Sequence, residues 1–214
     1  MTDNLAYQGP KRGADRAVLL AHGAGADMHA ATLTTVADAL ADAHVPSLRF
    51  NFPYTAEGRK APDRLPKLLA SMREAAQTLS TLAKVAPDRI VLGGRSMGGR
   101  VGSLLAAGED GEAWPALGLV LLGYPLHPPG KPENLRVDHF GALTMPTLFV
   151  SGTRDAFGTP AEFDAHVGAI PGPVTMHWLE TADHGFKPLK ASGRSVAAVL
   201  EDAATTTANW VCSL

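Results

Sequence analysis

The chain of 214 residues carries 19 basic and 21 acidic side chains, and no basic tract that could track a phosphate backbone, which excludes a nucleic-acid partner. Hydrophobic residues make up 45% and charged residues 19%, so the composition is globular and not disordered, and the length implies one domain over residues 1–214. The lone cysteine, Cys212, excludes an internal disulfide or a thiolate metal cluster and fits a reducing, cytoplasmic compartment.

Residues 1–15 form a polar N-terminal segment without the apolar stretch of a signal peptide. No apolar run approaches the roughly 18 residues that span a bilayer, so no membrane partner is expected. Ala17–Ala21 is a short apolar run that breaks at His22-Gly23-Ala24-Gly25, and Leu33, Val36, Ala37 and Leu40 then recur at helical spacing. Residues 45–52 read as the next strand, with Pro46 tolerable only at its start. Leu65, Leu68, Leu69, Met72, Ala75, Ala76, Leu79, Leu82 and Ala83 lay an apolar stripe along one long helix that Pro87-Asp88 stops. Ile90-Val91-Leu92 opens a strand, Met97–Ala107 reads as a helix, and residues 117–122 as a buried strand.

Residues 146–150 and Val174–Leu179 are further strands, with a helix at 160–170 between them. Val196, Val199, Leu200, Ala203 and Val211 give a C-terminal helix its buried face. Continuous apolar strands alternating with amphipathic helices predict an α/β three-layer sandwich, a mostly parallel sheet of about six strands covered on both faces. Only residues 123–144 separate two successive strands where a lid could be inserted, too few for a helical cap domain.

The strand at 90–92 runs into Gly93-Gly94-Arg95-Ser96-Met97-Gly98-Gly99-Arg100 and then a helix, so Gly94 to Gly98 fit G-x-S-x-G in a strand–turn–helix setting. Glycines are needed there because side chains beside so sharp a turn would collide with neighbouring strand and helix. A serine hydroxyl is a weak nucleophile and needs a base, itself oriented by a third group. Asp155 follows the strand at 146–150 and His184 follows Val174–Leu179, so a nucleophile, an acid and a base fall in that order outside the carboxyl ends of strands. Asp183 and Asp164 compete with Asp155, but Asp183 suits a turn cap. An oxyanion hole requires the N–H of Met97 and one from the early turn, assigned to Ala24 with Gly25 shaping the loop.

Arg49-Phe50-Asn51-Phe52-Pro53-Tyr54, residues 93–100, Gly123-Tyr124-Pro125-Leu126-His127-Pro128-Pro129-Gly130-Lys131-Pro132 and Gly152-Thr153-Arg154-Asp155 carry a resemblance that spans nearly the whole chain. The sequence resembles the α/β-hydrolase superfamily, its lidless dienelactone-hydrolase-like branch, and is similar to the small family that includes testis-expressed protein thirty and a regulatory subunit of the NSL histone acetyltransferase complex. It departs from dienelactone hydrolases in carrying Ser96 where they use cysteine, and the N-terminal strands of larger relatives are expected to be absent.

The resulting expectation is a serine hydrolase acting on an ester-like acyl bond of a small soluble molecule, with Ser96, Asp155 and His184 as the triad. Arg95, Gly25 and His127 are candidate substrate contacts, and Arg59 is a second candidate for an anionic group. His22 is read as a packing and hydrogen-bonding residue, and the absence of HExxH or similar spacing leaves neither metal nor cofactor expected. The alternative is a non-catalytic binding or scaffold protein on the same fold, because fold alone does not fix function.

Overall fold

Strands covered by helices on both faces are largely apolar, and the buried runs at residues 17–21, 90–95, 118–122 and 147–152 form the body of the sheet. The computed structural model describes residues 4–214; residues 1–3 of the polar N-terminal segment lie outside the described residues. The strands are β1 (Leu5–Gln8), β2 (Ala17–Ala21), β3 (Ser47–Phe50), β4 (Ile90–Arg95), β5 (Gly118–Leu122), β6 (Thr147–Gly152) and β7 (Val174–Leu179). They lie in the order β1-β3-β2-β4-β5-β6-β7, all parallel except β1. The helices are α1 (Ala31–Asp42), α2 (Pro53–Ala56), α3 (Leu65–Ala83), α4 (Met97–Ala107), α5 (Pro160–His166) and α6 (Val196–Ser213).

Alternation along the strands divides the interior in two. Val18 and Leu20 of β2, Val91 of β4 and Leu148 and Val150 of β6 meet α1 and α6 on one face. Leu19, Leu92, Leu119 and Phe149 meet α3, α4 and α5 on the other. Helix α3 buries Leu68, Leu69, Met72, Ala75, Ala76, Leu79 and Ala83, the spacing that one helical face requires. Each fully buried Leu, Val or Met contributes roughly 1.5–3 kcal/mol, so this face fixes α3 against the sheet.

The sheet has seven strands where about six were expected, and the addition corrects the reading of residues 1–15. Strand β1 pairs antiparallel with β3, Ala6 opposite Arg49 and Tyr7 opposite Leu48. As an edge strand it is held by backbone pairing and by Arg49 Nη2 donating to Gln8 Oε1 at 3.2 Å, so it needs no apolar run. Strand β3 is shorter than residues 45–52 because Pro46 lacks an N–H and Pro53 opens α2. The helix expected over 160–170 ends as α5 at His166 and continues as a 3-10 turn over Val167–Ala169. Leu82 and Val196 are 41% and 44% exposed, each in the terminal turn of its helix, outside the buried faces assigned to them. No cap domain is present among the described residues, and between β5 and β6 the chain forms loops with one 3-10 turn at Phe140–Ala142.

Helix α4 lies against the end of β2 at backbone contact. A Cβ on Gly98 would overlap the carbonyl groups of Ala21, the last residue of β2, and of His22 just after it, and the sheet cannot shift to make room. Gly98→Ala is therefore expected to cost about 3 kcal/mol, lowering the melting temperature by roughly 6–12 °C in a calorimetric scan. Gly141→Ala, where a Cβ meets nothing within 4 Å, should shift stability by less than about 0.5 kcal/mol.

Candidate active site

From β2 the chain passes to β3 on one side and then crosses to β4 on the other, so a topological switch point lies between the carboxyl ends of β2 and β4. Ser96 is the single residue between β4 and α4. Its φ of 51° and ψ of −112° are a left-handed conformation that costs a residue with a Cβ about 1–3 kcal/mol. The turn is over-determined: the Ser96 N–H donates to the Leu122 carbonyl at 2.9 Å, and its own carbonyl accepts from the Arg100 N–H at 3.1 Å.

Asp155 and His184 follow β6 and β7, and the parallel pairing of those strands brings them together. Asp155 is 1% exposed, and each of its carboxylate oxygens has a partner. Oδ1 accepts from the Phe157 N–H at 2.8 Å and Oδ2 accepts from His184 Nδ1 at 2.7 Å. A carboxylate accepts only, so the His184 proton sits on Nδ1 and leaves Nε2 as the acceptor. The Ser96 hydroxyl donates to that Nε2 at 3.0 Å. Phe157 stacks on the imidazole with centroids 3.9 Å apart and holds the ring plane. Asp183, the competing carboxylate, is occupied as a turn cap, its Oδ1 accepting from the N–H groups of Gly185 and Lys187 at 2.8 and 3.0 Å.

His22 organises the loop after β2. Its Nδ1–H donates to the Gly23 carbonyl at 2.9 Å, and its Nε2 accepts from the Phe52 N–H at 3.1 Å. Burial pushes its pKa down, so the neutral ring ties the loop to the segment after β3. Neither the Ala24 nor the Met97 N–H has an acceptor among the described residues. Both residues line a pocket of about 390 Å³ with Ser96 and His184. Its remaining wall is Pro125, Phe157 and two arginines, Arg100 and Arg136.

Three expected substrate contacts lie elsewhere. Arg95 takes the β4 face of Val91, toward α1 and α6, so its guanidinium stacks on Phe186 at 4.5 Å and donates to the carbonyls of Leu122 and Gly123. Burial pushes its pKa down to about 10, with the Asp155 and Asp183 carboxylates acting in the opposite direction, so it stays charged at neutral pH. His127 is 4% exposed and turned inward, its Nδ1–H donating to the Pro128 carbonyl and its Nε2 facing Glu162 at 3.2 Å. Gly25 lines a separate open cleft of about 550 Å³ that holds none of Ser96, Asp155 and His184. Arg59 lines that cleft too, paired with Asp63 and Glu57.

Sequence reasoning missed Arg100 and Arg136. Arg100 could have been found, because it lies one helical turn after Ser96 on α4. Arg136 sits in the irregular segment after β5, where no periodicity announces which way a side chain turns. No three His, Cys, Asp or Glu side chains group as metal ligands among the described residues. No helix of the described residues is long and apolar enough to cross a membrane.

The strain at Ser96 has a measurable consequence. Ser96→Gly relieves the backbone while Ser96→Ala keeps it, so the glycine variant should unfold at higher denaturant than the alanine variant, by about 1 kcal/mol after the entropic cost of glycine. Equal midpoints would mean that the turn is unstrained.

The family described as an alpha/beta hydrolase domain matches residues 14–212. Among solved structures, Est1E from Butyrivibrio proteoclasticus, determined with ferulic acid bound, is 17% identical, with a TM-score of 0.74 over 98% of this chain and 94% of that one. A dienelactone hydrolase from Anabaena variabilis is 19% identical, with a TM-score of 0.71 over 98% and 91%. A serine hydrolase without a lid from Xanthomonas campestris is 18% identical, with a TM-score of 0.65 over 96% and 88%. At these identities the likeness is one of fold. The chain belongs to the α/β-hydrolase domain family.

Proposed function

We propose that the protein is a serine hydrolase that cleaves an ester-like acyl bond of a small molecule, with Ser96 as nucleophile, His184 as general base and acid, and Asp155 as the group that orients the imidazole. The observation that carries this reading is the unbroken chain of hydrogen bonds from Asp155 through His184 to Ser96, 2.7 and 3.0 Å long. Ser96 Oγ attacks the acyl carbon while its proton passes to His184 Nε2, and Asp155 stabilises the imidazolium that forms. The negative charge that develops on the carbonyl oxygen is received by the free N–H groups of Met97 and Ala24, each worth about 3 kcal/mol in the transition state. His184 then protonates the departing alcohol, leaving an acyl-serine, and a water activated by the same Nε2 releases the acid and regenerates Ser96.

A pocket of about 390 Å³ without a cap favours short substrates over long acyl chains. Residues 49–54 and 123–132 resemble the small family of testis-expressed protein thirty, and the lone Cys212 suits a reducing, cytoplasmic setting. Some members of that family are subunits of chromatin complexes, so the reading rests on the site and not on the kinship.

A fluorophosphonate probe tests the reading directly. The wild-type chain should gain one covalent adduct at neutral pH by intact-mass spectrometry, with the label on Ser96 and none on Ser96→Ala. Absence of label on protein that retains its folded circular-dichroism spectrum would leave a binding protein on a hydrolase fold. Asp155→Asn should keep the melting temperature within a few degrees but lower kcat on a short aryl ester about 10³–10⁴-fold, because an amide fixes the wrong imidazole tautomer.

A further inference from the structure

Two guanidinium groups share the Ser96 pocket without an acid to balance them. Five other arginines of the chain pair with carboxylates, among them Arg59 with Asp63, Arg73 with Asp110 and Arg194 with Asp202, and Arg95 is held by backbone carbonyls. Arg100 and Arg136 have no carboxylate oxygen within 4.0 Å among the described residues. The Nε of Arg100 is buried and lacks any hydrogen-bond partner, although an unpaired buried donor of this kind costs about 1–3 kcal/mol. The backbone around Arg136 is anchored on both sides: its N–H donates to the Leu126 carbonyl at 2.8 Å, and its carbonyl accepts from the Tyr124 hydroxyl at 2.7 Å. The fold thus fixes where both side chains start and gives neither a carboxylate to bind. Burial and then the charge of Arg100 push the Arg136 pKa down, the mark of two like charges held close in a partly desolvated site.

We propose that Arg100 and Arg136 form a carboxylate-binding subsite beside Ser96, so that the preferred substrates are esters bearing a free carboxylate. A planar carboxylate matches the guanidinium fork and neutralises both cations. The inference rests on the serine-hydrolase reading of the same pocket and adds the charge of the substrate to it. It replaces Arg95 and Arg59 as the anion-recognising residues, since both are committed to partners of their own.

The test compares two esters of the same shape, monoethyl glutarate and ethyl 5-methylhexanoate, by pH-stat titration of the acid released. Wild type should favour the charged ester in kcat/KM by about ten- to hundredfold, the range of a charge-assisted hydrogen-bonded pair. In Arg136→Gln and Arg100→Gln that ratio should fall toward one. Equal rates on the two esters in wild type would overturn the proposal while leaving the hydrolase reading intact. If neither ester is turned over and no fluorophosphonate label forms, the hydrolase reading fails, and calorimetric binding of glutarate to Ser96→Ala decides the subsite alone. Millimolar or tighter binding that is lost in Ser96→Ala/Arg136→Gln supports it, and no heat of binding overturns it.

Discussion

The contact on which the rest of the molecule turns is one of backbone on backbone, where the amino end of α4 meets the carboxyl end of β2. Gly98 lies so close to the Ala21 and His22 carbonyls that no side chain fits between them. That approach forces β4 to reverse into α4 over a single residue, and the single residue is Ser96, held at φ 51°. It also sets Met97 beside the loop that carries Ala24, so that two unused N–H groups converge on one pocket. The strained turn follows from this contact, and the loop tied by His22 and the ends of β6 and β7, which bear Asp155 and His184, meet it at the carboxyl side of the parallel sheet.

Much of this was legible in the sequence because the physics there is local. The central strands are unbroken apolar runs since both faces are covered, and helices such as α3 announce their buried side by spacing. Ser96, Asp155 and His184 could be named because each falls just past a strand end, where a parallel sheet gathers its carboxyl termini. What escaped was non-local. Strand β1 is an edge held by its backbone, and four residues with an exposed Leu5 leave no pattern. Arg95 adjoins Ser96 in sequence, yet strand alternation sends it to the opposite face of the sheet. His127 turns inward to the Pro128 carbonyl and faces Glu162, whose carboxylate caps α5 through Thr159, an arrangement that no spacing rule foretells.

The electrostatics follow the same division. Beneath the site, Arg95 is a half-buried cation on Phe186, capped by two carbonyls and biased by Asp155 and Asp183. Above it, Arg100 and Arg136 face the pocket with no such compensation. The first cation is satisfied by the fold and the second pair is not, which separates structural charge from charge kept for a ligand.

The triad is best tested by whether its parts act as one unit. Initial rates of p-nitrophenyl acetate hydrolysis by Ser96→Ala, His184→Ala and the double variant answer this, each corrected for the uncatalysed rate. If the hydroxyl and the imidazole share one proton transfer, the double variant is no slower than the worse single one, because either loss already removes the whole contribution. Losses that multiply in the double variant would mean that the two side chains act independently, and their 3.0 Å contact would then be structural only.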